Sequence, residues 1–273
     1  PVSVKKIDEL ALPPIIKELA TSHRGMLLVT GTTGSGKSTT MAAMIEHVNE
    51  TESRNIITVE DPIEFLFRDK KSIISQREVG TDTLSFAAAL KHVLRQDPDV
   101  ILIGEIRDKT TLGTSLQAAD TGHMVMSTLH TLNASETINR VISFFPPHQH
   151  EHVRVLLAAT LIGVVSLRLL PRADGKGRVP AVEVMINTAT VKEHLLDPVK
   201  TLMIPQLISE GNTQYGMQSF DQSIMKHYRD GMISYETALQ RVTNADEFKL
   251  RLRGIENASD SRGWDSFDTS SRK

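Results

Sequence analysis

The chain contains no cysteine, which excludes a disulfide framework and a zinc site built from thiolates. A chain without disulfides fits a reducing compartment, and we expect a cytoplasmic protein. Aromatic residues make up only 4% of the sequence, and 31 Lys and Arg stand against 33 Asp and Glu. Nucleic-acid binding favours basic and aromatic surfaces, so we expect no nucleic-acid partner.

Long hydrophobic runs are also missing. The most apolar stretch, Val155 to Leu167, lies between two arginines and is shorter than the roughly 18 residues that span a bilayer. We predict that it forms a buried core helix and that any membrane contact is peripheral. The chain opens with Pro-Val-Ser-Val-Lys-Lys, without an early apolar run, and we expect no signal peptide. Because it does not begin with Met, we expect further sequence upstream.

From residue 26 to about 130, short aliphatic runs alternate with segments of helical period, which is typical of an α/β fold with a mostly parallel sheet. Apolar residues at helical spacing predict amphipathic helices around Met41 to Val48 and Phe86 to Leu94. The predicted strands are Met26–Thr30, Asn55–Val59, Val100–Ile103 and Met124–Ser127.

Beyond Pro146-Pro147 the sequence is mostly helical, with one predicted strand at Val179–Ile186 after the turn Asp174-Gly-Lys-Gly. Helices from Thr188 and Ser234 begin with plausible N-caps. We divide the chain into a lead-in (1–20), an α/β core (21–187), a helical C-terminal subdomain (188–255) and a disordered tail (256–273).

The segment MLLVTGTTGSGKSTT is an apolar strand that runs into G-x-x-x-x-G-K-S, the phosphate-binding loop of P-loop enzymes. Glycines let backbone N–H groups surround phosphate oxygens, the lysine neutralises phosphate charge, and the serine hydroxyl can bind Mg²⁺. The sequence therefore predicts binding of Mg²⁺ and ATP. The candidate nucleotide-binding residues are Gly31, Thr32, Thr33, Gly34, Ser35, Gly36, Lys37, Ser38 and Thr39.

A second apolar strand, in DPDVILIGEIRD, ends at Gly104-Glu105. Many P-loop enzymes have an Asp at the end of the corresponding strand, where it holds Mg²⁺. Here Gly104 takes that place, so Glu105 is our candidate for activating water and, with Ser38, for supporting the metal. An exposed acid at the end of a buried strand is also common without any function.

Two more segments place polar residues at strand ends, where ligands gather in open α/β sheets. ITVEDPIEF supplies Glu60, Asp61 and Glu64, and TGHMVMSTLHT supplies His123 and His130. Glu60 and His130 are catalytic candidates, whereas Glu64 and His123 are candidates for phosphate or intersubunit contacts. We rank His130 higher because it follows its strand. Asp61-Pro62 also suits a simple turn, and a lone histidine is often only structural.

Five arginines are candidates for stabilising a transferring phosphate within or across subunits. Arg95 and Arg107 flank the strand that leads to Glu105 and are preferred. The others are Arg77, Arg140 and Arg168.

The four segments in this order resemble the secretion ATPases of the type IV pilus and type II secretion group. The motifs are GTTGSGKST, ITVEDPIEF, ILIGEIRD and TGHMVMSTLHT, and the resemblance runs from about Lys6 to Arg253. Members that drive extension or secretion usually carry a four-cysteine zinc insertion, so the chain is most similar to the pilus retraction motors of the PilT/PilU family. PilU is favoured because the A-I-R-N-L-I-R-E segment usual in PilT is absent.

This resemblance implies a RecA-like core that follows a PAS-like domain, within a homo-hexameric ATPase that powers pilus retraction and twitching motility. It also implies work at the cytoplasmic face of the inner membrane, a membrane platform protein as partner, and possible pairing with a paralogous retraction ATPase. Family arginine fingers lie largely in the PAS-like domain. We expect that domain to be missing, because the chain begins at the lead-in.

Other interpretations stay open at this point. A small-molecule kinase or a helicase would also use a phosphate loop, but neither has positive support here. The chain would also suit pilus extension or type II secretion, or a nucleotide-binding ring component that depends on an active paralogue. Intact Lys37, Ser38 and Glu105 argue against an inactive site.

Overall fold

The computed structural model describes residues 4–253, and seven strands of this range form one sheet. The order across the sheet is β3-β2-β4-β5-β1-β6-β7. All neighbouring pairs are parallel except β6 with β7, which confirms the predicted α/β class. The strands are β1 (Gly25–Thr30), β2 (Asn55–Glu60), β3 (Ile73–Glu78), β4 (Val100–Ile103), β5 (Met124–Leu129), β6 (Leu161–Pro171) and β7 (Arg178–Ile186).

Helices cover both faces of the sheet and make up most of the chain after β7. Two short 3-10 turns lie at Pro147–Gln149 and Lys200–Met203. The helices are α1 (Ile15–Ala20), α2 (Lys37–Thr51), α3 (Phe86–Val93), α4 (Lys109–Asp120), α5 (Ala134–Ser143), α6 (His150–Thr160), α7 (Ala189–Leu196), α8 (Ile204–Glu210), α9 (Asn212–Tyr215), α10 (Phe220–Arg229), α11 (Tyr235–Arg241) and α12 (Ala245–Leu252).

The predicted helices around Met41 and Phe86 are confirmed as α2 and α3. The two predicted N-caps are also confirmed. The Thr188 side chain accepts a hydrogen bond from the backbone of Val191 at the start of α7, and Ser234 does the same for Thr237 in α11. Each cap satisfies a backbone N–H that the first turn of a helix leaves without a partner.

The sheet separates two hydrophobic layers. Leu28 faces the layer that contains α3 to α6, whereas Leu27 faces the layer that contains α1 and α2. All six residues of β1 are buried. A strand that is buried on both faces has a continuous apolar sequence, which makes it easy to predict. The four strands predicted between residues 26 and 127 all occur.

The prediction of one core helix from Val155 to Leu167 is wrong. Helix α6 ends at Thr160, and β6 begins at Leu161 between β1 and β7. A short apolar run that is buried on all sides has no period that separates a helix from a central strand. Its β-branched residues, Ile162, Val164 and Val165, favour the strand.

Strand β3 was not predicted. It lies at the edge of the sheet and pairs only with β2 within residues 4–253. Its sequence, IISQRE, has mostly polar residues and no fully buried position. An edge strand of this kind lacks the apolar pattern on which strand prediction depends.

Helices α10 to α12 pack on β6 and β7 through a third cluster, which includes Leu170, Phe220 and Ile224. Helices α7 and α8 instead pack in the same layer as α3 to α6. The predicted domain boundaries stay a prediction, and the predicted tail lies outside the described residues. Within residues 4–253, no helix is both long enough and apolar enough to cross a lipid bilayer.

A substitution at Gly163 tests whether this residue lies in strand β6 or in the helix that the sequence predicted. A Cβ at this position would lie 2.5 Å from the backbone oxygen of Met185 on β7. We expect Gly163→Ala to lower the free energy of unfolding by about 1–3 kcal/mol, because this contact cannot relax without moving the backbone. In a helix the same change would be stabilising by about 1 kcal/mol. Urea denaturation measures the difference.

Gly113→Ala is the matched control. Gly113 lies inside α4, where an added Cβ meets only the Phe145 ring at 4.0 Å. We expect this variant to gain about 0.5–1 kcal/mol. A Gly163→Ala protein as stable as the parent would contradict the strand.

Candidate functional site

The predicted phosphate loop connects the buried end of β1 to the first turn of α2. Gly31, Gly34 and Gly36 have φ values of 143°, 76° and 99°, which side-chain-bearing residues rarely adopt. A Cβ at Gly31 would also lie 2.6 Å from the backbone oxygen of Leu167 on β6. The glycines are therefore required by backbone conformation and by the close approach of a neighbouring strand.

Lys37 is buried at the first position of α2, and its ammonium group lies inside the loop. Nζ donates hydrogen bonds to the backbone oxygens of Gly31 at 2.9 Å and Thr32 at 3.0 Å. Burial lowers the pKa of Lys37, and the carboxylates of Glu105 and Glu64 oppose that shift. The loop thus holds a cation beside backbone N–H groups at a helix amino end, which is an arrangement that binds phosphate.

Two hydroxyl groups of the loop differ in their partners. Ser35 Oγ is buried and makes no hydrogen bond with any of the described residues. A buried polar group without a partner is costly, and it fits a loop that closes around a polar ligand. Ser38 Oγ donates to Glu64 Oε1 at 2.7 Å. Its oxygen lone pairs then remain available to a cation.

The parallel sheet brings the other predicted side chains to the same edge as the loop. Strand β5 pairs with β1, β4 pairs with β5, and β2 pairs with β4. Glu60 is the last residue of β2, whereas Glu105 and His130 follow β4 and β5. The carboxyl ends of these strands therefore collect the acids and the histidine around Lys37, as predicted for an open α/β sheet.

Glu105 lies at the centre of a charged cluster. Its Oε2 is 3.1 Å from His130 Nε2, and the Arg107 guanidinium contacts Oε1. Arg107 Nη1 also lies 3.6 Å from Asp61 Oδ2. The Glu105 side chain is 15% exposed, whereas those of Arg107 and His130 are more than half exposed. A largely buried carboxylate is thus held by two groups that reach it from the surface.

Glu60 has a different environment. Its Oε1 accepts hydrogen bonds from Thr58 Oγ1 at 2.7 Å and Gln76 Nε2 at 3.3 Å. Burial raises the pKa of Glu60, and these hydrogen bonds only partly oppose the shift. A carboxyl group that is stabilised by neutral donors and has a raised pKa is a second candidate for proton transfer.

A cavity of about 530 Å³ connects these groups. It is lined by the loop residues Thr33, Gly34 and Gly36 to Thr39, by the acids Glu60, Glu64 and Glu105, and by His130. Sequence reasoning missed Leu169 and Arg178, which also line it. Both belong to the β6–β7 hairpin, of which the sequence predicted only the second strand, now confirmed as β7. The turn Asp174-Gly-Lys-Gly before that strand was also the signal that could have revealed β6 as its partner.

His123 does not belong to this cavity, and its prediction as a phosphate contact within its own chain is wrong. It precedes β5, and its backbone oxygen accepts from Gly25 at the opposite end of β1. Its Nδ1 lies 3.0 Å from the Ala118 backbone oxygen at the end of α4. An intersubunit role for His123 stays a prediction.

The candidate arginines lie in separate parts of the described structure. Arg95 is exposed beyond α3, near the amino ends of the strands, because the next residue, Gln96, bonds Asn55 at the start of β2. Arg95 is therefore wrong as a phosphate contact in its own site. Of the five candidates, only Arg107 contacts a predicted site acid in the described structure. Arg77 bonds Gln96, while Arg140 and Arg168 lie over the rings of Phe144 and Phe220.

Comparison with known proteins gives one family. The profile described as "Type II/IV secretion system protein" matches residues 9–249. A "Twitching motility protein" of Neisseria gonorrhoeae is 47% identical over 92% of this chain and 66% of its own length. The "Type IV pilus ATPase PilU" of Pseudomonas aeruginosa is 40% identical over 94% of this chain and 67% of its own length.

Among solved structures, the pilus retraction motor PilT with bound ADP superposes with a TM-score of 0.82. It is 44% identical to this chain, and the match covers 90% of this chain and 69% of PilT. This likeness shows the RecA-like ATPase fold that the sequence predicted. The chain spans about two thirds of the length of each of these three relatives.

The raised pKa of Glu60 predicts a pH-dependent stability difference. A Glu carboxyl group in the unfolded chain has a pKa of about 4.3. Because the pKa of Glu60 is higher in the folded protein, the folded protein binds more protons than the unfolded chain above that pH. The stability of the parent should fall as the pH rises from there through the raised pKa. Glu60→Gln lacks this loss, and its stability relative to the parent should increase with pH.

Urea denaturation of both proteins over a pH series measures this difference. Glu193→Gln, on the exposed face of α7, is the control and should follow the parent at every pH. Parallel curves for Glu60→Gln and the parent would contradict the buried environment of Glu60.

Proposed function

The chain belongs to the type II/IV secretion system protein family, in the group of the pilus retraction ATPases PilT and PilU, and we propose that it is an ATP-hydrolysing motor subunit that powers type IV pilus retraction. The observation that carries this proposal is the convergence of the phosphate loop, Glu105 and His130 on one cavity. Twitching motility is the process in which such a motor would act.

We assign ATP as the nucleotide. The positive-φ glycines, the unpartnered Ser35 hydroxyl and the buried Lys37 ammonium all suit a bound polyphosphate. The related PilT structure contains ADP, which is the product of ATP hydrolysis. Lys37 would exchange its bonds to loop carbonyls for bonds to phosphate oxygens when the nucleotide binds.

We also assign Mg²⁺, which would be held by Ser38 and supported by Glu105. Within residues 4–253, no group of three His, Cys, Asp or Glu side chains has metal-binding geometry. The available donors fit Mg²⁺, which usually keeps several waters and binds few protein groups beside substrate phosphates. When bound, the metal supplies positive charge to the phosphates.

Glu105 is the proposed general base that takes the proton of the attacking water. A base must be held in place to reach its proton, and the contacts of Glu105 with His130 and Arg107 provide that restraint. His130 is then a group that orients the base and can sense the terminal phosphate. Glu60 is the alternative base because its pKa is raised by burial.

The proposed assembly is a homo-hexamer in which a neighbour supplies an arginine to each site. Hydrolysis would move adjacent subunits, and the ring would act on a platform protein at the cytoplasmic face of the inner membrane. Arg107 reaches the surface beside Glu105 and is positioned for either its own site or a boundary between subunits.

A nucleotide-binding ring component that depends on an active paralogue is the second candidate function. Such a component would contain the same phosphate loop as the proposed motor subunit but would not hydrolyse ATP on its own. The identities to PilU (40%) and to the PilT structure (44%) do not separate the two retraction motors. The preference for PilU therefore stays a prediction.

Glu105→Gln tests the proposed chemistry. A carboxamide can position water but cannot accept its proton, so we expect ATP hydrolysis to fall about 10²-fold or more while nucleotide affinity is kept. Steady-state ATPase assays and calorimetric titration measure the two properties separately on the full-length protein.

Two variants give the matched controls. Lys37→Ala should lose tight nucleotide binding, because it removes the cation inside the loop. Glu193→Gln should keep both properties. If Glu105→Gln hydrolyses ATP at the parental rate, Glu60 is the general base. If the parent itself hydrolyses no ATP, the ring-component alternative is favoured.

Assembly gives a further prediction. If an arginine from a neighbour completes each site, specific activity should rise with protein concentration until the ring is full. In related phosphoryl transfers such an arginine contributes about 10³-fold or more, so a lone subunit should be nearly inactive. ATPase rates along a dilution series, with particle mass from light scattering, measure this dependence. Constant specific activity in confirmed monomers would contradict the ring motor.

A further inference from the structure

A buried acid that no step above uses lies behind the phosphate loop. Glu183 on β7 is 8% exposed, and its Oε1 accepts a hydrogen bond of 2.8 Å from the backbone N–H of Ala134. Ala134 is the first residue of α5, where helix geometry leaves N–H groups unpaired and favours negative charge. The carboxyl group therefore fixes the amino end of α5 against the sheet.

The same carboxyl group connects to the strand that enters the phosphate loop. Thr30 Oγ1 donates to Ser166 Oγ at 2.9 Å. Ser166 lies directly opposite Glu183 in the β6–β7 pair, where its hydroxyl group acts to lower the pKa of the carboxyl group. These three residues are direct neighbours across β1, β6 and β7. Thr30 immediately precedes Gly31. A row of buried polar groups thus runs from the loop to Glu183.

The amino end of α5 in turn holds the segment that carries His130. Three residues separate His130 from Ala134, and this segment is tied to the first turns of α5. Thr131 Oγ1 lies 2.7 Å from Thr137 Oγ1, and the Asn133 side chain accepts from Glu136 N. Because His130 contacts Glu105, the position of α5 affects the group that orients the proposed base.

Stability alone does not explain an acid at this place. Desolvation of a buried carboxylate is expensive, and a neutral side chain of similar volume would avoid it. Burial raises the pKa of Glu183 to about 7, although the Ala134 N–H and Arg168 oppose the shift. Of the neighbouring charges, Arg168 on β6 lowers the pKa of Glu183 and Asp221 on α10 raises it. Glu136, the acid in the first turn of α5, accepts a hydrogen bond from the Leu132 backbone N–H.

We propose that Glu183 is a positioning residue for hydrolysis, which holds the His130 segment in register with the phosphate loop through Ala134 on one side and Ser166 on the other. This inference rests on the proposed ATPase function. The ionised carboxylate makes the stronger bond to the helix amino end, so it is the form that positions His130. Glu183 does not line the cavity and acts only through these neighbours.

Glu183→Gln keeps the shape and an acceptor oxygen but removes the charge. In the assembled full-length protein we expect kcat to fall about tenfold with KM for ATP nearly unchanged, in the range seen when supporting residues are altered. The parent should lose a similar factor between about pH 8 and pH 6 as Glu183 takes up its proton. Glu183→Gln should stay at the low value over this range.

A second measurement does not depend on turnover. Hydrogen exchange followed by mass spectrometry should show faster exchange in residues 130–138 of Glu183→Gln, with exchange in α2 unchanged. Ser166→Ala cuts the connection to Thr30 and leaves the bond to Ala134. It should lower kcat without loosening α5. This variant also serves if Glu183→Gln does not fold.

The outcomes separate the two proposals. If the parent protein hydrolyses no ATP, the proposed function fails, and hydrogen exchange still decides whether Glu183 holds the His130 segment. If Glu183→Gln melts at a lower temperature but keeps kcat and the parental pH profile, Glu183 is only a structural cap and the positioning role is wrong. Unchanged exchange in residues 130–138 would overturn it as well.

Discussion

Parallel pairing of β1 with β5 and β6 is the constraint on which the site depends. It brings the carboxyl ends of the strands to one edge, so that side chains distant in sequence meet around a single loop. It also sets how close β6 comes to Gly31, because the Leu167 backbone oxygen leaves no room there for a side chain. The phosphate loop is shaped by the sheet around it as much as by its own glycines.

Charge at this edge is balanced over short distances. The buried ammonium of Lys37 is offset by Glu64 and Glu105, while Glu105 is also held by Arg107 and His130. Each of these groups would be costly to bury alone, and their proximity reduces that cost. Removing one therefore changes the environment of the others, which is why a charge-neutralising variant such as Glu105→Gln is more informative when binding and turnover are measured separately.

The sequence predicted the parts of the fold whose physical signal is local. The loop is encoded by residue types at fixed spacing, and β1, β2, β4 and β5 are encoded by apolar runs between turns. It did not predict β6, because an apolar run that is buried on both faces has the same pattern in a strand as in a buried helix. It did not predict β3 either, because an edge strand needs few apolar residues. With β6 missed, Leu169 and Arg178 could not be placed at the cavity. Glu183 gave no signal either, because nothing in a sequence marks an acid as buried.

The complete burial of β1 has a consequence for how the chain finds its native alignment. In a strand with one wet face, a slip of one residue exposes apolar groups and is penalised. Here both neighbouring layers are apolar, and a slipped β1 would still be buried. The penalty must then come from the hydroxyl pair of Thr30 and Ser166 and from the space that only Gly31 fits. The register of β1 is thus specified at the end of the strand, by the residues that adjoin the phosphate loop.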